Sequence, residues 1–88
     1  MRTVTVELPD EVFSALRLAP EEFTREMRLA AAIHWYQRGD VSQEKAAQVA
    51  GLDRTDFLFA LAKAGVDAFK VDFDHLKVEL ERARAARR

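Results

Sequence analysis

The chain has 88 residues, 49% of them apolar and 33% charged, and a formal net charge of −1. This length fits one small domain, which excludes a large enzyme with a deep cleft, and the absence of cysteine excludes disulfides and zinc–thiolate sites. Because the charge is balanced, any prediction of DNA binding has to rest on architecture.

The first segment alternates between polar and apolar residues. Valine or leucine occupies every second position of residues 3–8, which predicts a short strand. Pro9 ends this strand and suits the first turn of a short helix that carries Val12, Phe13 and Leu16 on its apolar face. A lone strand is not stable, so it has to pair with a strand of this chain or with its copy in a second chain.

Three helices are predicted in the middle of the chain. Pro20 opens the first, which runs to Arg38 and stops at Gly39. Ser42 can cap the second, which ends at Gly51. The third starts near residues 53–54 and stops at Gly65.

The segment from residue 41 to residue 64 has the construction of a helix-turn-helix. Ala46, Ala47 and Ala50 allow two helices to cross closely, and Gly51 permits a left-handed backbone in the turn. An ordinary helical hairpin that packs a core explains the pattern equally well. If the unit binds DNA, the contacts are expected from Gln43, Lys45, Gln48, Arg54 and Thr55.

The C-terminal region is predicted to hold a second short strand near residues 66–72 and then a charged helix. Phe73, Leu76, Leu80 and Ala83 form a narrow apolar stripe on this helix at spacings of three and four. The stripe suits either a groove of a partner protein or the domain's own core. The predicted fold is mainly α, with the helix-turn-helix in residues 1–65 and the strand and helix in residues 66–88.

No catalytic or metal-binding pattern stands out. His34 is predicted to be a partly buried structural histidine, and His75 is too distant in sequence to form a metal motif with it. We therefore predict no enzymatic activity and no cofactor. The N-terminus does not resemble a signal peptide, and no apolar run is long enough to span a membrane, so the cytoplasm is the predicted location.

The succession of motifs resembles a family of short prokaryotic proteins. The resemblance rests on Thr3-Val4-Thr5-Val6-Glu7-Leu8-Pro9, on Leu29-Ala30-Ala31-Ala32-Ile33 with Tyr36, Gly39, Val41 and Ser42, on Lys45-Ala46-Ala47 with Ala50-Gly51-Leu52, and on Phe57, Leu61 and Ala64-Gly65-Val66. The family is catalogued as uncharacterised, under a UPF-type name, and its members are regarded as VapB-like antitoxins, often encoded beside a PIN-domain ribonuclease toxin. The resemblance implies a homodimeric DNA-binding regulator whose C-terminal region binds a toxin.

Two functions remain open at this level. In the first, the protein is a dimeric antitoxin-like transcriptional regulator that binds operator DNA and neutralises a PIN-domain-type toxin. The N-terminal strands or the apolar central helix would then form the dimer contact. In the second, the protein is a protein-interaction module with a purely structural helix-turn-helix. Partner contacts are expected from Phe59, Phe73, Leu76 and Leu80. The basic tail, with Arg82, Arg84, Arg87 and Arg88, either binds phosphate, a membrane surface or RNA, or is solvated charge that complements the helix dipole.

Overall fold

The computed structural model describes residues 1–86, and these residues form five helices. Arg87 and Arg88, which belong to the basic tail described above, lie outside the described residues. The helices are α1 (Asp10–Leu16), α2 (Pro20–Arg38), α3 (Gln43–Ala50), α4 (Arg54–Lys63) and α5 (Ala68–Ala86). The chain is therefore mainly helical, as predicted, and the predicted bounds of the three central helices agree with these elements.

Local signals in the sequence fix the ends of the central helices. The Ser42 hydroxyl accepts a hydrogen bond from the Lys45 backbone N–H at 3.2 Å and caps α3. The Asp53 carboxylate accepts from the Asp56 N–H at 2.8 Å and caps α4. Gly51, at φ 72°, ends α3 in the left-handed conformation that glycine adopts without strain. The turn between α3 and α4 is therefore only residues 51–53.

The core lies between α2, α3 and α4 and is built largely from small residues. Its buried members are Ala32, Tyr36, Ala46, Ala47, Ala50, Phe57 and Leu61. The alanines let α2 and α3 approach closely, and this pair forms the most extensive helix contact in the described chain. The aromatic rings of Tyr36 and Phe57 fill the remaining space edge to face, with centroids 6.1 Å apart.

The predicted N-terminal strand is wrong, because residues 1–86 contain no strand. Residues 1–9 are not assigned to any regular element. Val4, Val6 and Leu8 instead lie near Phe13 and Phe23, the aromatic residues of α1 and α2. Alternation of polar and apolar residues reports only which side chains share a face, whereas a strand also needs a neighbouring backbone to supply its hydrogen bonds.

The predicted second strand at residues 66–72 is also wrong, since most of this segment is the first part of α5. The Val66 N–H donates to the Leu61 carbonyl at 2.9 Å, which closes the end of α4. The Asp67 carboxylate then accepts from the Lys70 N–H at 3.2 Å, so that it caps the next helix. This capping aspartate favours a helix start, and it outweighs the loose alternation that suggested a strand.

Helix α5 is attached to the rest of the fold only near its beginning. Ala68 and Val71 pack against the core, and His75 lies one turn further along. The described chain is elongated, with principal extents of 55 × 25 × 25 Å. None of its helices combines the length and apolar character that crossing a bilayer requires.

Candidate nucleic-acid interface

The first residues of α3 and α4 lie side by side. Gln43 begins α3, Arg54 begins α4, and the Arg54 Nε donates a hydrogen bond to the Gln43 Oε1 at 2.8 Å. The N-terminus of a helix carries a partial positive charge and free backbone N–H groups, which favour anions such as phosphate. The contact between the Gln43 and Arg54 side chains therefore joins two such ends and adds an arginine to them.

The same two residues are linked to α5 and to the core. The Gln43 Nε2 lies 3.5 Å from the Asp72 Oδ2, and the Tyr36 hydroxyl lies 2.7 Å from the Asp72 Oδ1. The Tyr36 oxygen is also 3.0 Å from the Ala68 carbonyl oxygen. A chain of polar contacts thus runs from Arg54 through Gln43 and Asp72 to the buried Tyr36. It connects the start of α4 with the first turns of α5.

Burial, and after it the hydrogen bond to Asp72, raises the pKa of Tyr36 from 10.0 to about 12. Because the pKa in the folded state is higher than in the unfolded state, the associated stability is fully present below pH 10 and is lost as the pH rises through about 12. Tyr36 is the only tyrosine of the chain. Its ionisation can therefore be followed directly by the absorbance of tyrosinate.

We expect the native protein to show a tyrosinate midpoint near 12, and the urea-unfolded protein to show one near the ordinary value of 10.0. Asp72→Asn is expected to lower the native midpoint but to leave it above 10.0, because burial is the larger cause. Asp74→Asn, at an exposed position of the same helix, is the matched control and should leave the tyrosinate midpoint unchanged. A native midpoint at the ordinary value would show that Tyr36 is hydrated and that the contact with Asp72 does not form.

The other predicted DNA contacts do not join this cluster. Lys45 and Gln48 are exposed on α3, with the Lys45 Nζ 3.4 Å from the Gln48 Oε1. Thr55 is exposed beside Arg54 on α4. The five predicted residues therefore form a joined pair at the two helix starts, a second pair along α3 and a single hydroxyl on α4.

Sequence reasoning missed the side chains that come from α2 and α5. Arg28 on α2 donates to the Val49 carbonyl at 2.7 Å and to the Gln48 carbonyl at 3.1 Å, which holds the C-terminal end of α3. Asp72 falls inside the predicted second strand, and Tyr36 was named only among the residues that carry the family resemblance. No local pattern marks these residues, because each of their contacts joins positions at least 20 residues apart. His34, predicted to be partly buried, is exposed.

An open groove of about 410 Å³ lies beside the two helix starts. Its walls include Gln43, Arg54, Asp72, His75 and Glu79. The His75 Nε2 lies 3.2 Å from the Gln37 carbonyl oxygen, so one wall of the groove is held by the end of α2. The groove mixes one guanidinium with three carboxylates, since Asp40 also lines it, and its charge therefore does not favour an anion deep inside it.

The residues predicted to bind a protein partner lie on two separate surfaces. Phe59 on α4 is 65% exposed and lines an apolar groove with Leu29, Ile33 and Leu52. Phe73, Leu76 and Leu80 are each more than half exposed on α5. Phe69, which is 82% exposed on the same helix, was missed because it fell inside the predicted strand.

Comparison with known proteins places the chain in a family. The profile of an uncharacterised protein family, UPF0175, matches residues 1–85. Two UPF0175 proteins of Aeropyrum pernix are similar to it: one is 32% identical over 83 residues, covering 94% of this chain and 88% of its own length. The other is 37% identical over 59 residues, covering 67% of this chain and 75% of its own. No solved structure matches significantly. The chain belongs to the UPF0175 family.

Proposed function

We propose that the protein is a dimeric DNA-binding regulator of the VapB-like antitoxin type, which reads DNA through α3 and α4. The observation that carries the proposal is the contact between Gln43 and Arg54, which sets the N-terminal ends of the two helices side by side. In helix-turn-helix proteins the N-terminal residues of the second helix reach base edges while the first helix crosses the phosphate backbone. The short turn and the capped starts of both helices suit this placement.

The residues divide into two roles on this proposal. Arg54 and Thr55 begin α4 and contact base edges in the major groove, where an arginine can donate two hydrogen bonds to guanine. Lys45 and Gln48 are exposed on α3 and contact the phosphate backbone, which sets the register without reading sequence. Gln43 orients the Arg54 guanidinium through its side-chain oxygen.

The charges near the site limit the affinity. Glu44 on α3, Asp56 on α4 and the capping Asp53 are close in sequence to Lys45 and Arg54. Affinity for DNA comes largely from phosphates neutralised by lysine and arginine, and each neutralised phosphate adds to the salt dependence. With few cations per subunit, we expect modest binding by one copy, so that two copies on one operator are needed for a stable complex.

A dimeric antitoxin also needs two protein contacts, one with its second copy and one with its toxin. The exposed apolar surfaces around Phe59 on α4 and along α5 supply two separate places for them. A PIN-domain ribonuclease is the partner that we propose for one of these surfaces.

The test is fluorescence anisotropy with the duplex upstream of the protein's own coding sequence and with a scrambled duplex, repeated across a salt series. Arg54→Ala is expected to weaken binding to the native duplex about tenfold and to reduce its preference over the scrambled one. Lys45→Ala should weaken binding to both duplexes and lower the slope of affinity against salt by about one. Lys63→Ala removes the same charge from the far end of α4 and serves as the control. The affinity for DNA and its salt dependence are expected to stay unchanged in this variant.

The interaction module is the second candidate, and the exposure of Phe59 favours it. A large aromatic side chain on the outer face of α4 is a more common feature of a protein contact than of a DNA-reading helix. If the wild-type protein shows no preference between the duplexes at low salt, with or without the toxin, DNA reading is excluded and this candidate remains. Equal affinities of the Arg54→Ala and Lys63→Ala variants would instead remove the assignment of the α4 start to DNA.

A further inference from the structure

The exposed apolar residues of α5 follow the spacing of a coiled coil. Four large side chains and one alanine follow one another at intervals of four, three, four and three positions. They therefore fall alternately at positions d and a of a heptad repeat, which form the seam of a coiled coil. We call this set the α5 stripe: Phe69, Phe73, Leu76, Leu80 and Ala83. Its four large side chains are all more than half exposed, and Phe69 is 82% exposed.

The α5 stripe does not pack on the chain's own core. The residues of α5 that reach the core are Ala68 and Val71, which lie on a different side of the helix from the stripe. Such a row of exposed aromatic and leucine side chains is costly in water, and it marks a surface that another protein covers.

The charges that flank the α5 stripe differ in sign on its two sides. Asp72 and Glu79 occupy the g positions of the heptad, on one side of the stripe. On its other side, the e positions are held by Lys70, Lys77 and Arg84. These are the places from which neighbouring helices of a coiled coil form ion pairs. Glu79 and Arg84 form no ion pair within the described chain.

This charge pattern selects one occupant and one orientation. In a parallel pair of α5 helices, Glu79 of each copy faces Arg84 of the other, whereas Asp72 stays in contact with Tyr36 and Gln43 of its own chain. In an antiparallel pair, residues of like charge would face each other on both sides. We propose that the α5 stripe binds the α5 stripe of a second copy of this chain as a short parallel coiled coil.

The proposal identifies the interface of the dimer in the proposed function, but it does not depend on DNA binding. It also differs from both contacts that the sequence suggested, the N-terminal strands and the apolar central helix. Because α5 begins shortly after α4 ends, a two-fold axis along α5 fixes the separation of the two α4 helices. The surface around Phe59 then remains free for a toxin.

Cysteine cross-linking tests the contact, since the natural chain contains no cysteine. Leu76→Cys places the only thiol of each chain in the seam, where the two copies of one residue lie within disulfide distance. Val78→Cys is the matched control, because this exposed valine lies on the opposite face of α5. Under mild oxidation we expect the Leu76→Cys protein to form a covalent dimer at least about ten times faster than the Val78→Cys protein. Equal rates would overturn the proposal.

Charge reversal tests the orientation. Glu79→Lys alone and Arg84→Glu alone each place like charges together at two symmetry-related positions, and each is expected to weaken the dimer about tenfold in sedimentation equilibrium. The double variant restores both pairs and should dimerise like the wild type. Failure of the double variant to recover, or a wild-type chain that stays monomeric at high concentration, would overturn the proposal. A dimer that shows the rescue but binds no DNA would refute only the proposed DNA reading.

Discussion

Phe57→Ala is expected to lower the free energy of unfolding by about 3 to 5 kcal/mol, the usual cost of removing a buried phenyl ring. Phe57 is fully buried, and it packs edge to face on Tyr36. Alanines make up most of the remaining core, so few neighbouring side chains can move to fill the cavity. Small domains have total stabilities of only about 5 kcal/mol or somewhat more, so the variant is expected to be largely unfolded at moderate temperature.

Urea denaturation followed by circular dichroism measures this effect. Phe59→Ala is the matched control, because the same substitution two positions along α4 removes a side chain that is 65% exposed. It should change the free energy of unfolding by no more than about 0.5 kcal/mol. Similar losses in the two variants would mean that Phe59 is covered, or that Phe57 does not occupy the core.

The helices could be predicted because their signals are local. Ser42 and Asp53 cap helices, and Gly39 and Gly51 end them, and each of these effects acts within about one turn. The strands failed for the opposite reason. Residues 3–8 alternate as a strand does, but a strand depends on a distant backbone that the pattern does not report. At residues 66–72 the capping carboxylate of Asp67 was a local signal, and it was overlooked in favour of the alternation.

The candidate site could be predicted only in part, because some of its features are local in sequence and others join distant helices. Gln43 and Arg54 were identified from their places at the starts of two helices, but no sequence pattern reports the hydrogen bond between them. Asp72 and Arg28 reach α3 from other helices, so their contacts depend on how the helices pack. That packing is set by the size of the core side chains, which makes the alanine positions as decisive for the site as its polar residues.

Ala46→Leu tests this dependence directly. Ala46 is fully buried in the core, where α2 and α3 pack closely. A leucine there adds three carbon atoms to a space that holds one methyl group, so α3 has to move away from α2 or the new side chain has to adopt a strained rotamer. Overpacking of this kind costs about 1 to 3 kcal/mol.

Measuring stability together with the tyrosinate midpoint distinguishes a movement of α3 from a strained leucine rotamer. We expect a lower midpoint in urea and a lower tyrosinate midpoint, because moving α3 away from α2 hydrates Tyr36 and burial is the largest cause of its raised pKa. Ala62→Leu is the control, since this alanine is exposed on α4 and leucine is nearly as good a helix former. A stable Ala46→Leu protein with an unchanged tyrosinate midpoint would show that α2 and α3 are not closely packed. The placement of Gln43 beside Arg54 would then need another cause than the alanine contacts.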